Sequence, residues 1–167
     1  MSGFIENRES EASEKAGSPE RMLTWHGGVA MLPLVSRIAR DVTEHHGRLA
    51  GLRRELAGLE RNRRQLPWPL RARRYQLADE VVVAEAGYRR VVAELEALGV
   101  ALLAPEDGLV GFPTLVNERR AYFSWRPGEE TLGWWNYATD RVRRPVPEEW
   151  TEMPREAWPR RVRPRKK

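Results

Sequence analysis

The residues of this sequence best suited to chemistry are one histidine and two carboxylates that two helices could bring together. Asp41 and His45 are four residues apart and therefore share a face of one predicted helix. Glu85 belongs to a second predicted helix that packs against the first. Imidazole and carboxylate groups on facing helices can hold a divalent metal. The pattern offers one histidine and no second Glu-x-x-His pair, so we favour the alternative, a histidine that fixes helix register through a hydrogen bond to Glu85.

Other catalytic patterns are missing from the sequence. It contains no cysteine, which excludes disulfides, thiolate metal sites and a cysteine nucleophile. His26 precedes Gly27 and Gly28, but this pair lacks the spacing and the Lys-Ser/Thr of a phosphate-binding loop. Neither G-x-S-x-G nor H-E-x-x-H occurs. We therefore expect a non-enzymatic protein without a cofactor.

A tryptophan between two prolines stands inside a run of arginines, RRQLPWPLRARR at residues 63–74. At a tight turn Trp68 has little to bury against, and Glu60 is almost alone in opposing the positive charge. An exposed aromatic ring surrounded by arginines suits contact with an acidic partner or RNA. The alternative is that the run is only a solvated chain reversal. The arginines concerned are Arg61, Arg63, Arg64, Arg71, Arg73 and Arg74.

The C-terminal end of the chain is also basic, within a net charge of +5. Its cationic residues are Arg160, Arg161, Arg163, Arg165, Lys166 and Lys167. Such a tail, together with the arginine run, could bind the phosphates of RNA or DNA. The same composition could reflect the coding bias of a genome, and one sequence leaves both explanations open.

The N-terminal residues 1–20 are polar and rich in Glu and Ser, which predicts a disordered leader. They lack the basic start and apolar centre of a secretory signal. No apolar run approaches the ~18 residues that a membrane span needs. We expect a cytoplasmic protein that does not contact a membrane.

Two long helices are predicted from apolar residues that recur at alternating steps of three and four. The first set is Val35, Ile38, Val42, His45, Leu49, Leu52, Leu56 and Leu59. The second set is Leu77, Val81, Ala84, Tyr88, Val91, Leu95 and Leu98. Pro33 is predicted in the first turn of the first helix, Pro69 is predicted to open the second helix, and Gly99 is predicted to end it. The short link between the sets requires an antiparallel hairpin.

Beyond Gly99 the period changes to that of strands. Ala121–Trp125 alternates, Pro127 and Gly128 make a turn, and Thr131–Tyr137 follows as a second strand. Alternation places Phe123 and Trp125 on one face of this sheet. That face is predicted as core in preference to an aromatic platform for stacking bases.

The predicted fold is therefore mainly α with a small β part: a long antiparallel helical hairpin, coiled-coil-like, followed by a small antiparallel β-sheet, with disordered tails. The predicted divisions are a leader at 1–20, a domain at 21–140 and a Pro/Arg-rich tail at 141–167. Within the tail, Trp150 and Trp158 each end a short proline-initiated turn and are predicted to dock on the domain.

Three short motifs occur in a fixed order: Leu32-Pro33-Leu34-Val35 at the helix start, Gly108-Leu109-Val110 with Phe112-Pro113, and Trp125 followed by Gly128-Glu129. In this order they resemble the bacterial domain-of-unknown-function family 2203, over about residues 24–147. The family has no assigned activity, so the resemblance implies an architecture and no function.

The resemblance also identifies three positions that depart from the family pattern. Family members often carry Asp immediately before the Phe-Pro pair, where this chain has Gly111. They often show Trp-His-Glu near the second strand, where Trp135 is followed here by Asn136 and Tyr137. If those polar residues form a site in relatives, this chain lacks most of it.

The function favoured by the sequence is that of an interaction or scaffold protein in a cytoplasmic assembly, with an unknown protein partner. The alternatives are nucleic-acid binding through the arginine run and the basic tail, and a metal-dependent activity around His45. Because each helix of a hairpin buries only one apolar stripe, we also expect that two hairpins could pair as a homodimer.

Overall fold

The computed structural model describes residues 21–158 as a helical hairpin joined to a five-stranded antiparallel sheet, which confirms the predicted fold. The long helices are α1 (Trp25–Arg61) and α2 (Trp68–Ala97), separated by a 3-10 turn (Arg63–Gln65). The strands are β1 (Ala101–Ala104), β2 (Leu109–Val116), β3 (Arg119–Trp125), β4 (Trp134–Tyr137) and β5 (Arg144–Pro145). A short helix, α3 (Glu148–Glu152), and a 3-10 turn (Arg155–Ala157) follow. The leader at 1–20 and the six basic residues from Arg160 onward lie outside the described residues.

Helix α1 begins earlier than its apolar periodicity indicated. Thr24 caps it by accepting a hydrogen bond from the Gly27 N–H at 3.0 Å. Pro33 therefore lies inside the helix and not in its first turn, so that prediction was wrong. The turn before the fourth strand holds these extra helical turns, because the Trp25 Nε1–H donates to the Leu132 carbonyl at 2.8 Å. Gly28 packs so closely on Leu132 that a Cβ would lie 2.5 Å from its methyl carbon.

The chain reversal between the helices is built by the two prolines. Leu66 is buried, Pro67 is the extended N-cap residue of α2, and Pro69 stands in its first turn, where a missing N–H costs little. At the other end Gly99 has a φ of +74°, a left-handed conformation that stops the helix. Both predicted ends of α2 are confirmed.

The strands pair in sequence order, as β1-β2-β3-β4-β5. Phe112, Phe123 and Trp135 are aligned across β2, β3 and β4 and face the helices. The predicted strand at 131–137 is shorter than expected: it starts at Trp134, because Thr131–Gly133 forms a turn. Strand β2 contains Pro113, which has no backbone N–H to donate. The pairing of β2 with β1 ends at Gly111, so Pro113 removes no hydrogen bond between these two strands.

The main core lies at the base of the hairpin, between the helices and the sheet. Its helical members end at Val42 in α1 and begin again at Val91 in α2, with Tyr88 packed at its edge. The rest of the hairpin projects as an arm of two helices. Since α1 has 37 residues, it is about 55 Å long at the usual rise per residue.

The segment after β4 adds aromatic residues to this core. Trp158 is buried and its Nε1–H donates to the Thr114 hydroxyl at 2.8 Å. Its ring and that of Trp150 contact Phe123 at centroid distances of 5.5 and 6.3 Å. The predicted docking of both tryptophans is confirmed. The division of the chain near residue 140 stays a prediction, although residues 144–158 share the core of the preceding strands.

Candidate functional site

The tip of the arm, residues 60–74, presents the most exposed tryptophan of the described chain. Trp68 is the first residue of α2 and 75% of its surface is exposed. Leu66, two residues earlier, is buried between the helix ends, so the turn is anchored while the indole points outward. The structure thus places an aromatic ring where a partner could reach it.

Three of the tip arginines are held by partners within the arm. Arg73 donates to Glu55 at 2.9 Å and to Glu80 at 2.8 Å, and Arg74 donates to Glu60 at 2.6 Å. Its hydrogen bonds to the carboxylates of Glu55 and Glu80 raise the pKa of the Arg73 guanidinium above its ordinary value. The Arg71 Nε–H donates to the Leu66 carbonyl at 2.7 Å and thereby braces the turn.

These pairs correct our expectation that Glu60 is almost alone in opposing the tip charge. Glu55 lies on α1 and meets Arg73 only because the hairpin folds back, whereas Glu80 lies two turns further along α2 on the same side as Arg73. The separation of 18 residues between Glu55 and Arg73 gives no local signal of their pairing. The net positive charge of the tip is therefore smaller than its composition indicates.

The other three tip arginines stay exposed to solvent. Arg61 ends α1, and Arg63 and Arg64 form the 3-10 turn. None of them has an ion pair within residues 21–158. Residues 60–65 line an open depression of about 670 Å³. The tip thus combines an exposed indole with a shallow, positively charged hollow.

The candidate metal residues do not assemble. The carboxylate of Glu85 binds the guanidinium of Arg53, so the predicted hydrogen bond from His45 is wrong. His45 packs instead against Gly87, where a Cβ would lie 3.1 Å from two of its ring atoms. Asp41 is exposed on the outer side of α1. Between residues 21 and 158 no group of three potential ligands, counting His, Cys, Asp and Glu, is close enough to bind a metal ion.

The sheet face turned away from the helices carries a second cluster of polar groups. Gly111 and Asn136, where the chain departs from the family pattern, both neighbour Tyr122 on this face. A Cβ at position 111 would lie 2.8 Å from the Tyr122 ring, so glycine makes room for that ring. The side-chain amide of Asn136 donates to the carbonyls of Tyr137 and Asp140. Tyr122, Asn136 and Asp140 line a pocket of about 220 Å³.

The charged residues at this face serve the fold. Arg143 donates to both carboxylate oxygens of Glu129, at 2.7 and 2.8 Å, and to the hydroxyl of buried Ser124 at 3.1 Å. This cluster was missed in the sequence, since its members are 14 and 19 residues apart with no recognisable spacing. Because Arg143 and Glu129 satisfy each other, neither is free to act as an acid, a base or a ligand.

The aromatic residues of the sheet divide between core and surface. Phe123, Trp125 and Trp135 are buried, which confirms the core interpretation of that face. Trp134 is 39% exposed and lies 5.3 Å from the Arg143 guanidinium. One exposed indole is too little for the row of rings that stacks successive bases.

In the part of the chain that the structure describes, no helix is both long and apolar enough to cross a membrane.

Comparison with known proteins gives one result. The sequence matches the family described as "Uncharacterized conserved protein (DUF2203)" over residues 21–146. No curated protein and no solved structure matches the chain. The match extends from the cap of α1 through β5 and thus includes the hairpin and the sheet. The chain therefore belongs to the DUF2203 family of uncharacterised conserved proteins.

Proposed function

We propose that the protein is a non-enzymatic interaction protein, a small scaffold or adaptor of a cytoplasmic assembly, and that it binds a protein partner through the tip of its arm. The observation that carries this proposal is the 75% exposure of Trp68 at the end of two long helices. The absence of cysteine from the sequence is compatible with a reducing compartment.

The chemistry of the tip indicates the kind of surface it would bind. Tryptophan is the side chain most enriched among the residues that dominate binding energy, and it acts by filling a pocket that excludes water. Around Trp68, the unpaired guanidinium groups of Arg61, Arg63 and Arg64 would lie at the rim of such a contact. The complementary surface is an apolar pocket with an acidic rim.

Protein binding is favoured over nucleic-acid binding by the ion pairs of the arm. Arg73 and Arg74 are neutralised by glutamates, which would have to be displaced or would repel phosphates. Nucleic-acid affinity grows with the number of phosphates that a protein neutralises, and three tip arginines provide few such contacts. RNA or DNA binding that also uses the basic tail from Arg160 is the alternative outcome of the experiment.

The experiment begins by placing a photo-crosslinking amino acid at position 68 to identify what the tip touches in the native cell. The captured protein is then purified and its affinity is measured for the wild type, Trp68→Ala and Trp134→Ala. Trp134 is the matched control, a partly exposed tryptophan on the sheet. We expect Trp68→Ala to weaken binding by about 30-fold or more, the usual loss for a dominant aromatic contact, and Trp134→Ala to have little effect.

Equal affinities of the wild type and Trp68→Ala would overturn the proposal. RNA and duplex DNA are titrated in parallel across a salt series. Binding with a steep salt dependence that flattens when Arg61, Arg63 and Arg64 are changed to Gln would replace the protein partner with a nucleic acid.

A further inference from the structure

The side of α2 that faces away from α1 carries a second regular stripe, here called the outer seam. Its residues repeat at steps of three and four: Ala72, Tyr75, Asp79, Val82, Ala86, Arg89 and Ala93. The opposite side of the same helix holds the buried Leu77, Ala84, Val91 and Leu95. A helix with one stripe buried and a second stripe at heptad spacing has room for another helix.

The outer seam exposes large apolar side chains to solvent. Tyr75 is 62% exposed and Val82 is 63% exposed, with neighbouring Val83 at 69%. In the stretch from residue 21 to residue 158, α2 contacts α1 and β1, and both lie on other sides of it. Apolar residues in a row on one helix face are typical of a surface that another chain covers.

Large and small residues alternate along the outer seam, and the pattern is complementary to that of a second α2 running in the opposite direction. When a second α2 is laid antiparallel, with Val82 opposite Ala86, Tyr75 falls opposite Ala93. Each large side chain then meets an alanine of the other copy, which is the arrangement that fills a helix interface without voids. The same register puts Asp79 opposite Arg89.

The charges of the outer seam select this orientation. In a parallel pair Asp79 would face Asp79 and Arg89 would face Arg89, and both contacts are repulsive. In the antiparallel pair, a twofold axis makes each Asp79–Arg89 contact occur twice, and both contacts are attractive. Asp79 has no ion pair within residues 21–158. Arg89 is exposed and makes a 4.0 Å contact to the Glu85 carboxylate and a 3.5 Å hydrogen bond to the Glu85 carbonyl, so its guanidinium keeps N–H groups that can pair with Asp79 across the interface.

We propose that a second copy of this chain covers the outer seam, so that two hairpins form an antiparallel four-helix arrangement. The paired layers from Tyr75 to Ala93 run about 27 Å along each helix. This is short for an obligate interface and predicts a reversible dimer. Trp68 lies one turn before Ala72, beyond the last paired layer, so the inference does not depend on the function proposed for the tip.

The experiment measures the mass of the full chain by sedimentation over a range of concentrations, with charge variants of the two seam residues. Asp79→Arg and Arg89→Asp each place like charges in contact, and we expect each to weaken the dimer at least tenfold. The double variant restores opposite charges in reversed positions and should recover wild-type association. Arg37→Asp, an exposed arginine of α1, is the control for a change of net charge.

A wild type that stays monomeric at every concentration would overturn the inference. So would a dimer that neither single variant weakens, or one that the double variant fails to recover. Orientation is tested by cross-linking, because the chain has no cysteine of its own. A mixture of Val82→Cys and Ala86→Cys chains should oxidise mainly to mixed dimers, whereas a parallel pair would give mainly homodimers of each variant.

Discussion

Two tryptophans show how much the surroundings of one residue type differ within this chain. Trp158 is buried against Phe123 and Trp150 and donates to the Thr114 hydroxyl, whereas Trp68 projects into solvent. Trp158→Ala should lower the free energy of unfolding by about 3–5 kcal/mol, the usual cost of emptying a large aromatic site. Trp68→Ala should change it by less than about 0.5 kcal/mol. Urea denaturation followed by circular dichroism measures both.

Comparing the stabilities of Trp68→Ala and Trp158→Ala also distinguishes a binding role for Trp68 from a structural one. If Trp68→Ala destabilised the chain as much as Trp158→Ala does, Trp68 would be a structural residue of the turn and the binding experiment at the tip would lose its meaning. A mild Trp158→Ala would instead show that residues after α3 contribute little to the core.

The carboxyl of Glu129 makes stability depend on acid pH. Burial raises the pKa of this carboxyl, but hydrogen bonds from Arg143 and from the Arg126 backbone N–H outweigh burial and hold the pKa below its ordinary value. A folded-state pKa below the unfolded value stabilises the fold above about pH 4.3, the ordinary value for Glu. That contribution is lost as pH falls through the lower, folded-state pKa.

Glu129→Gln is the variant that tests this contribution. It removes the charge paired with Arg143 and should lower the free energy of unfolding at pH 7 by about 1.5–3 kcal/mol, as for hydrogen bonds to charged groups. Its stability should fall less steeply than that of the wild type between pH 5 and pH 2. Chemical denaturation at several pH values checks this, and parallel pH profiles for the two proteins would contradict it.

At the scale of elements, the glycines of α1 weaken the arm. Gly51 and Gly58 lie inside the helix, and a Cβ at either position would meet no atom within 4 Å. Gly51→Ala and Gly58→Ala should therefore each raise the free energy of unfolding by about 0.5–1 kcal/mol, the difference in helix propensity. Gly28→Ala is the matched control. Its Cβ would clash with buried Leu132, so it should destabilise by about 1–3 kcal/mol. Thermal and urea unfolding of the three variants tests the opposite signs.

The elements that could be predicted from the sequence are those whose signals are local. The apolar residues at steps of three and four predicted both helices, and Pro69 and Gly99 predicted the ends of α2. The start of α1 was missed because packing of Trp25 and Gly28 on Leu132 overrides the helix-breaking tendency of Pro33. Strand β2 was missed because its LVGFPTLV sequence is buried on both faces and contains a proline, so it shows no alternation.

In the candidate site, too, only features with a local signal in the sequence could be predicted. The exposure of Trp68 could be predicted, because a residue flanked by prolines at a hairpin end has few neighbours. The pairing of Arg73 with Glu55, and of Glu85 with Arg53 in place of His45, could not be predicted. Such contacts depend on which long side chains meet across the hairpin, and this is set by helix rotation and side-chain reach.

At the scale of the whole molecule, the position of the core predicts an uneven distribution of stability. The main core ends near Val42 and Tyr88, and the arm beyond it is held by a single stripe in which Leu49, Leu77 and Ala84 are buried. Local openings require the loss of few apolar contacts there. Amides at 49–60 and 70–84 should therefore exchange with solvent deuterium at least about tenfold faster than amides of β2 and β3.

Hydrogen exchange measured by mass spectrometry over a range of protein concentrations tests this gradient together with the proposed dimer. In dilute protein the arm should open independently of the sheet. Small amounts of denaturant should speed hydrogen exchange in the sheet, because that exchange requires global unfolding. They should barely change exchange in the arm, because local opening exposes little surface. At higher concentration, pairing through the outer seam should slow hydrogen exchange in α2 of the wild type. Exchange in α2 of Asp79→Arg should not depend on concentration. Uniform protection of arm and sheet in the dilute protein would contradict the gradient, because the hairpin would then unfold only together with the core.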